Sequence, residues 1–170
     1  SDCEYVEIPK VGTLESFNTD GLRSLIHTMP HIPNMKEKTL RYPGHISTVR
    51  ALKESGFFST EKITIGEIEM SPLSFTSQIL FNEWKLKETD EEFTVMTIKI
   101  KGVDLKSQKN KVVMYYLYDE YNKETKTSSM ARTTGYTAAA VANALLNNKI
   151  DMVGVLPPEL LGANEECFIY

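Results

Sequence analysis

The fold of this 170-residue chain is decided by the stretch Lys38-Thr39-Leu40-Arg41-Tyr42-Pro43-Gly44-His45. Residues 36–42 are predicted to form a strand, Pro43-Gly44 breaks it sharply, and a helix is predicted from Gly44 to Glu54. In α/β architectures, ligand-binding groups gather at the turn after the C-terminal end of a strand. A guanidinium and a phenol precede this turn and an imidazole follows it, so we expect a binding site here.

A second junction of the same kind lies later in the chain, at Ser128-Ser129-Met130-Ala131-Arg132-Thr133-Thr134-Gly135-Tyr136. It is predicted to begin a long alanine-rich helix that ends at Asn147-Asn148. Its small side chains allow close approach to a sheet or to another helix. Residues 112–118, just before the junction, are almost continuously apolar, which predicts a central strand covered on both faces.

The remaining segments alternate between strand and helix patterns. Strands are predicted at residues 4–9, 63–70, 93–101 and 153–155, and residues 107–111 are predicted to form a hairpin turn. An amphipathic helix is predicted from Leu22 to Met29, and Ser71-Pro72 begins another with a capping hydroxyl followed by proline. The sum is an α+β (α/β two-layer) domain with about four helices on one mixed β-sheet of five or six strands.

Composition and length describe an ordinary globular domain. Hydrophobic residues make up 41% of the chain and charged residues 25%, and 170 residues suffice for one domain with a sizeable core. The net charge of −4 argues against a nucleic-acid-binding module, which needs a concentrated basic surface. No apolar run is long enough to span a membrane and no signal peptide opens the chain, so we expect a cytoplasmic protein without a membrane partner.

The sequence lacks the usual patterns of metal binding, nucleotide binding and nucleophilic catalysis. Its three histidines and two scattered cysteines, Cys3 and Cys167, form no metal-ligand set, and both cysteines are expected to be free thiols. G-x-G-x-x-G, a phosphate-binding loop and a nucleophile elbow are also missing. We therefore assign no catalytic, cofactor-binding or metal-binding residue to this chain.

The first junction suits the binding of carboxylate anions. Arg41 lies on the strand face opposite Leu40 and Tyr42, and a guanidinium holds a carboxylate through two parallel hydrogen bonds. His45 lies in the first turn of its helix, where free backbone N–H groups and the helix dipole also favour anions. Each residue also has a plainer interpretation, Arg41 as the partner of a surface acid and His45 as a solvent-facing helix residue.

Polar residues elsewhere extend or limit this hypothesis. Arg132 and Thr133 repeat the arrangement at the start of the alanine-rich helix, with helix capping and a surface arginine as the alternative. Glu15 and Asp20 are predicted to be a solvated and capping pair. Residues 18–21 have the alternative interpretation of a polar ligand loop.

Four motifs, in order along nearly the whole chain, resemble the saccharopine dehydrogenase family. Two lie in the first half, Gly12-Thr13-Leu14-Glu15-Ser16-Phe17-Asn18-Thr19-Asp20-Gly21-Leu22 and the stretch from Lys38 to His45 quoted above. The other two are Met130-Ala131-Arg132-Thr133-Thr134-Gly135-Tyr136 and Gly154-Val155-Leu156-Pro157-Pro158-Glu159. Four ordered motifs make a specific match, in which this chain is similar to the C-terminal part of the family's substrate domain.

The resemblance implies an oxidoreductase that interconverts an amino-acid amine and an imine by hydride transfer. Members of the family have an N-terminal Rossmann domain that binds NAD or NADP and a mixed α/β domain that binds substrate and mediates dimer contacts. Saccharopine dehydrogenase joins glutamate to an aldehyde derived from lysine, which indicates lysine metabolism, and relatives include lysine 6-dehydrogenase and carboxynorspermidine dehydrogenase. Because this chain lacks the Rossmann domain and the proton-transfer residues, residues 1–170 are expected to be a fragment, inactive alone.

The resemblance also implies a partner and a site. We expect an amino-acid substrate with carboxylates, a homodimer, and a substrate-binding set of Arg41, Tyr42, His45, Arg132 and Thr133. A substrate with several carboxylates needs arginines at its cleft, while the other domain fixes the hydride donor. The alternative is a stand-alone, non-catalytic carboxylate-binding or scaffold domain. A Gly-rich strand-turn-helix preceding this chain in the natural protein distinguishes the enzyme from that alternative.

Overall fold

The computed structural model describes residues 2–87 and 90–169. The chain divides into two compact units, residues 1–86 and residues 87–170. Within the described ranges the first unit holds five strands and three helices, and the second holds two strands and three helices.

A three-stranded antiparallel sheet opens the first unit. Its strands pair in the order β1 (Glu4–Ile8), β2 (Gly12–Asn18) and β3 (Lys38–Arg41). Glu15 on β2 lies opposite Tyr5 on one side and opposite Arg41 on the other. Directly opposed residues of antiparallel strands point to the same face, so these three side chains form one row across the sheet.

The first unit continues with α1 (Leu25–Thr28), α2 (His45–Glu54), the hairpin of β4 (Ile63–Ile65) and β5 (Ile68–Met70), and α3 (Pro72–Trp84). The predicted start of α3 is confirmed, because the Ser71 hydroxyl accepts a hydrogen bond from the Ser74 N–H at 3.2 Å. The helix predicted from Leu22 is shorter than expected because Arg23 has a φ of +47°, outside the right-handed helical region. Residues 63–70 form a hairpin rather than one strand, with the turn at Gly66, whose φ is +64°.

A long hairpin and a long helix dominate the second unit. β6 (Phe93–Val103) and β7 (Asn110–Glu120) pair along their full length, and the turn between them contains the predicted segment 107–111 in part. The alanine-rich helix is α4 (Ser129–Leu146), and its start is tied to β6 because the Ser129 hydroxyl donates to Thr94 Oγ1 at 2.8 Å. Two short helices follow, α5 (Pro158–Leu161) and α6 (Glu165–Ile169). Residues 153–155 do not form the predicted strand.

The α+β class is confirmed, and the arrangement of the strands differs from the predicted one. Instead of one mixed sheet, the described residues form three antiparallel sheets of three, two and two strands. β7 is not a central strand covered on both faces, since Val112, Met114 and Tyr115 are each more than half exposed. A continuously apolar run predicts that other elements cover a strand, but it does not identify those elements.

Candidate functional site

A buried carboxylate holds the turn between β3 and α2. Glu15 is 6% exposed. Its Oε1 accepts a hydrogen bond from the Gly44 N–H at 2.8 Å, and its Oε2 accepts one from the Ile46 N–H at 2.9 Å. Gly44, the N-cap residue of α2, has no side chain with which to cap the helix. Glu15 therefore supplies the anion at this helix N-terminus from a neighbouring strand.

These hydrogen bonds favour the ionised form of Glu15. The backbone N–H of Ile46 and then that of Gly44 lower the pKa of the Glu15 carboxyl below its ordinary value of 4.5, against the opposing effect of burial. The prediction that Glu15 is solvated is wrong. Glu15 does cap a helix, but that helix is α2, whose N-cap residue Gly44 lies 29 residues further along the chain. Asp20 is exposed, as predicted, and faces Arg23 at 3.9 Å.

Arg41 shares a sheet face with Glu15 but does not pair with it. The Arg41 side chain is exposed, and its Nη1 donates to the backbone carbonyl of Leu40 at 2.8 Å. Across the described ranges, no carboxylate forms an ion pair with this guanidinium. Because Glu15 is engaged by two backbone N–H groups, the positive charge of Arg41 is left for another anion.

Tyr42 and His45 lie at the same junction, close to Arg41 in the chain. Tyr42 is 63% exposed. The His45 ring stacks on Phe17 with centroids 6.1 Å apart and makes a tilted contact with Trp84 at 6.3 Å. The structure therefore places the three predicted residues of the first unit together. The prediction that free N–H groups beside His45 bind an anion is wrong, because the N–H groups of Gly44 and Ile46 donate to Glu15.

The start of α4 is built in the same way, with a carboxylate from outside the helix. Glu92, which precedes β6, accepts hydrogen bonds from the N–H groups of Ser129 and, at 3.4 Å, Met130. The Ser128 hydroxyl accepts another from the Ala131 N–H at 3.1 Å. Ser129 is fully buried. Both junctions thus use a glutamate from another segment to cap a helix.

Arg132, in contrast to Arg41, already has a carboxylate partner. Its Nη2 donates to Oδ1 of Asp119 on β7, and the two side chains are 15% and 24% exposed. The neighbouring Ser129 hydroxyl and the Arg132 guanidinium hold the pKa of the Asp119 carboxyl below its ordinary value of 3.8. The Thr133 hydroxyl donates within α4, to the Ser129 carbonyl at 3.0 Å. A substrate carboxylate would have to displace Asp119 to bind Arg132.

Glu92 and Asp119 are the polar residues of the second junction that the sequence analysis missed. The pairing of Asp119 could have been predicted. This residue follows an apolar run and lies on the same strand face as Leu117, where a carboxylate needs a partner. Glu92 had no such signal, since its contacts with α4 depend on how that helix meets the hairpin.

The described part of the chain offers neither a metal site nor a membrane span. Residues 2–87 and 90–169 contain no group of three or more His, Cys, Asp or Glu side chains placed to hold a metal ion. None of the helices described is long and apolar enough to cross a membrane. Cys3 and Cys167 are both free thiols.

Gly44 is expected to be required at the start of α2. Its φ is +99°, a left-handed conformation that costs other residues about 1–2 kcal/mol. Gly44→Ala should therefore lower the free energy of unfolding by about 1 kcal/mol in urea denaturation. The control is Gly135→Ala in α4, where an added Cβ meets nothing within 4 Å and helix propensity predicts a gain of about 1 kcal/mol. Effects of the same sign in both variants would contradict the prediction.

One comparison with known proteins covers almost the entire chain, including both junctions. Residues 1–168 match the family model described as the Saccharopine dehydrogenase C-terminal domain. A match of this extent confirms the resemblance that the four motifs indicate. The chain belongs to the saccharopine dehydrogenase C-terminal domain family.

Proposed function

We propose that this chain is the substrate-binding and dimerisation domain of an NAD(P)-dependent oxidoreductase that acts on an amino acid. Its family is one of saccharopine dehydrogenase-like oxidoreductases. The reaction proposed is hydride transfer at the carbon of a CH–NH group or imine. NAD or NADP would be held mainly by a Rossmann domain elsewhere in the natural protein.

The observation that carries this proposal is the exposed guanidinium of Arg41, which forms an ion pair with no carboxylate of the described residues. An arginine at a strand end, with its charge not neutralised by the described residues, is suited to a carboxylate ligand. The phenol of Tyr42 and the imidazole of His45 stand nearby in the chain as further hydrogen-bonding groups. An amino-acid substrate with more than one carboxylate has the complementary chemistry.

In this proposal the residues of the chain bind and orient, and the nicotinamide supplies the hydride when it is bound. When Arg41 binds a carboxylate of the substrate, the position of the nearby imine carbon is fixed. Fixing a reacting atom in this way removes translational and rotational freedom that the reaction otherwise has to lose. The second unit offers its own carboxylate-binding position at Arg132 and Thr133, on the condition that Arg132 exchanges Asp119 for substrate.

Dimerisation is supported by the apolar surface of the β6–β7 hairpin. Ile98, Ile100 and Tyr115 lie on one face of the hairpin and are between 42% and 54% exposed. Contiguous exposed apolar patches mark sites of contact with other proteins. A homodimer formed through this hairpin is the arrangement we propose.

Arg41→Ala is expected to raise the KM for the carboxylate substrate by about 10- to 100-fold, the value of a charge-assisted bidentate pair. Turnover at saturating substrate should change far less, because the hydride donor is held elsewhere. The assay follows NAD(P)H oxidation by the natural protein that contains this chain, with a panel of amino and oxo acids. Arg50→Ala, an exposed arginine of α2 in the same unit, is the control and should leave the KM unchanged.

The outcomes separate the enzyme from the alternative. An unchanged KM in Arg41→Ala would show that Arg41 does not bind substrate. Arg41-dependent binding of glutamate without hydride transfer to any substrate would favour the stand-alone carboxylate-binding domain. The mass of the natural protein comes first, since a mass near 19.3 kDa leaves no room for a nucleotide-binding domain.

A further inference from the structure

We propose that Glu15 is a positioning residue for the carboxylate site, holding Arg41 and His45 in place without touching the substrate. This inference rests on the proposed function, because it assigns Glu15 a task only if the β3–α2 junction binds substrate. Neither the family match nor the sequence motifs give Glu15 this role.

The two N–H groups that Glu15 binds belong to the chain neighbours of His45. Gly44 and Ile46 are the residues immediately before and after His45, and each donates to a different oxygen of the one carboxylate. The carboxylate therefore clamps the backbone on both sides of His45. Because β2 and β3 pair through Glu15 and Arg41, the same residue also fixes the distance between the end of β3 and the start of α2.

The direction of the Glu15 carboxylate also determines whether the charge of Arg41 is neutralised. Glu15 and Arg41 are directly opposed on neighbouring strands, a geometry in which opposite charges ordinarily pair. They do not pair here, because the carboxylate is turned to the α2 backbone. A Glu15 side chain released from those N–H groups would face Tyr5, whose hydroxyl already donates to Oε1 at 3.5 Å, on one side and Arg41 on the other. Pairing with Arg41 would neutralise the charge that the substrate needs. By capping α2, the Glu15 carboxylate leaves Arg41 available to the substrate.

β2 contacts the start of α2 twice, through Glu15 and through Phe17. Phe17, two residues after Glu15 and on the same face of the strand, stacks on the His45 ring. Trp84 contacts that ring from α3. The imidazole is therefore held by its backbone through Glu15 and by its ring through two aromatic side chains. Trp84 is the only tryptophan of the chain, so its fluorescence reports on the surroundings of His45.

The test is Glu15→Gln in the natural protein that contains this chain. Glutamine accepts from only one of the two N–H groups and presents its own NH₂ to the other. We expect the KM for the carboxylate substrate to rise about tenfold, with kcat changed much less and with a shifted Trp84 emission. Ser71→Ala is the control, since it removes the hydroxyl cap of α3 in the same unit and should leave both the KM and the emission unchanged.

A second variant guards against loss of folding. Glu15→Asp keeps the charge but is one methylene shorter, so it no longer reaches both N–H groups, and its KM is also expected to rise. A raised KM in either folded variant, with Ser71→Ala unchanged, supports the positioning role. A raised KM in Arg41→Ala with unchanged values in both Glu15 variants would overturn it and leave the proposed function standing. Unchanged values in all three variants would overturn both.

Discussion

Arg132→Ala is expected to lower the melting temperature of the second unit by about 10 °C or more. Removing the guanidinium leaves Asp119 without its ion-pair partner in a partly buried place. The other oxygen of this carboxylate, Oδ2, is already buried and has no hydrogen-bond partner among the residues described. Breaking such a pair from one side costs far more than the pair itself contributes, because a charge is left uncompensated.

Two further variants test whether the loss of stability comes from the uncompensated charge of Asp119. Lys123→Ala removes an exposed ion pair with Glu91, and should lower the melting temperature by only about 1 °C. Arg132→Met combined with Asp119→Leu removes both charges and should recover most of the loss. The measurement is thermal unfolding followed by tyrosine near-ultraviolet circular dichroism. Equal losses in Arg132→Ala and Lys123→Ala would contradict the prediction.

Acid is expected to destabilise the first unit through Glu15. The pKa of this carboxyl is lower in the folded chain than its ordinary value of 4.5, so the ionised form stabilises the fold. That contribution is complete above about pH 4.5 and is lost as the pH falls through the folded-state pKa. The urea midpoint, followed by Trp84 fluorescence, should therefore fall as the pH is lowered below about 4.5.

Glu15→Gln removes the titrating group and provides the comparison. Its urea midpoint should be lower than that of the unmodified chain at neutral pH, and should change less as the pH falls. The change that remains comes in part from Asp2, whose pKa is also lowered, chiefly by its hydrogen bond with Lys36. Glu67→Gln, in the exposed turn between β4 and β5, should leave the whole profile unchanged. A Glu15→Gln profile parallel to the unmodified one would contradict the assignment.

The elements that could be predicted from the sequence are those with local start and stop signals. α3 has a hydroxyl cap followed by proline, and α4 begins at a serine and ends at Leu146, with Asn147 as its C-cap residue. β2 could not be predicted from its sequence. Leu14, Glu15 and Ser16 are all buried although two of them are polar, so apolar and polar residues do not alternate as they do in a half-buried strand. The number of sheets could not be predicted either, since strand patterns do not specify which strands pair.

The site shows the same division between local and distant information. The closeness of Arg41, Tyr42 and His45 follows from their spacing in the chain and was predictable. The partners of the site residues were not, because Glu15 meets Gly44 only through the register of β2 against β3. The pairing of Arg132 with Asp119 likewise depends on where α4 crosses the hairpin. These contacts decide which arginine is free to bind an anion.

Hydrogen exchange along the β6–β7 hairpin can show how a partner binds to it. Its strands pair only with each other among the described residues, so on each strand every second backbone N–H points away from the partner strand. In heavy water those outward amides are expected to take up deuterium faster than the inward ones, giving an alternating pattern along 93–103 and 110–120. A second copy that pairs with one edge would slow the outward amides of that strand alone, and a partner lying on a face would slow both strands. The labelling pattern would thus distinguish an edge contact from a face contact and name the strand involved.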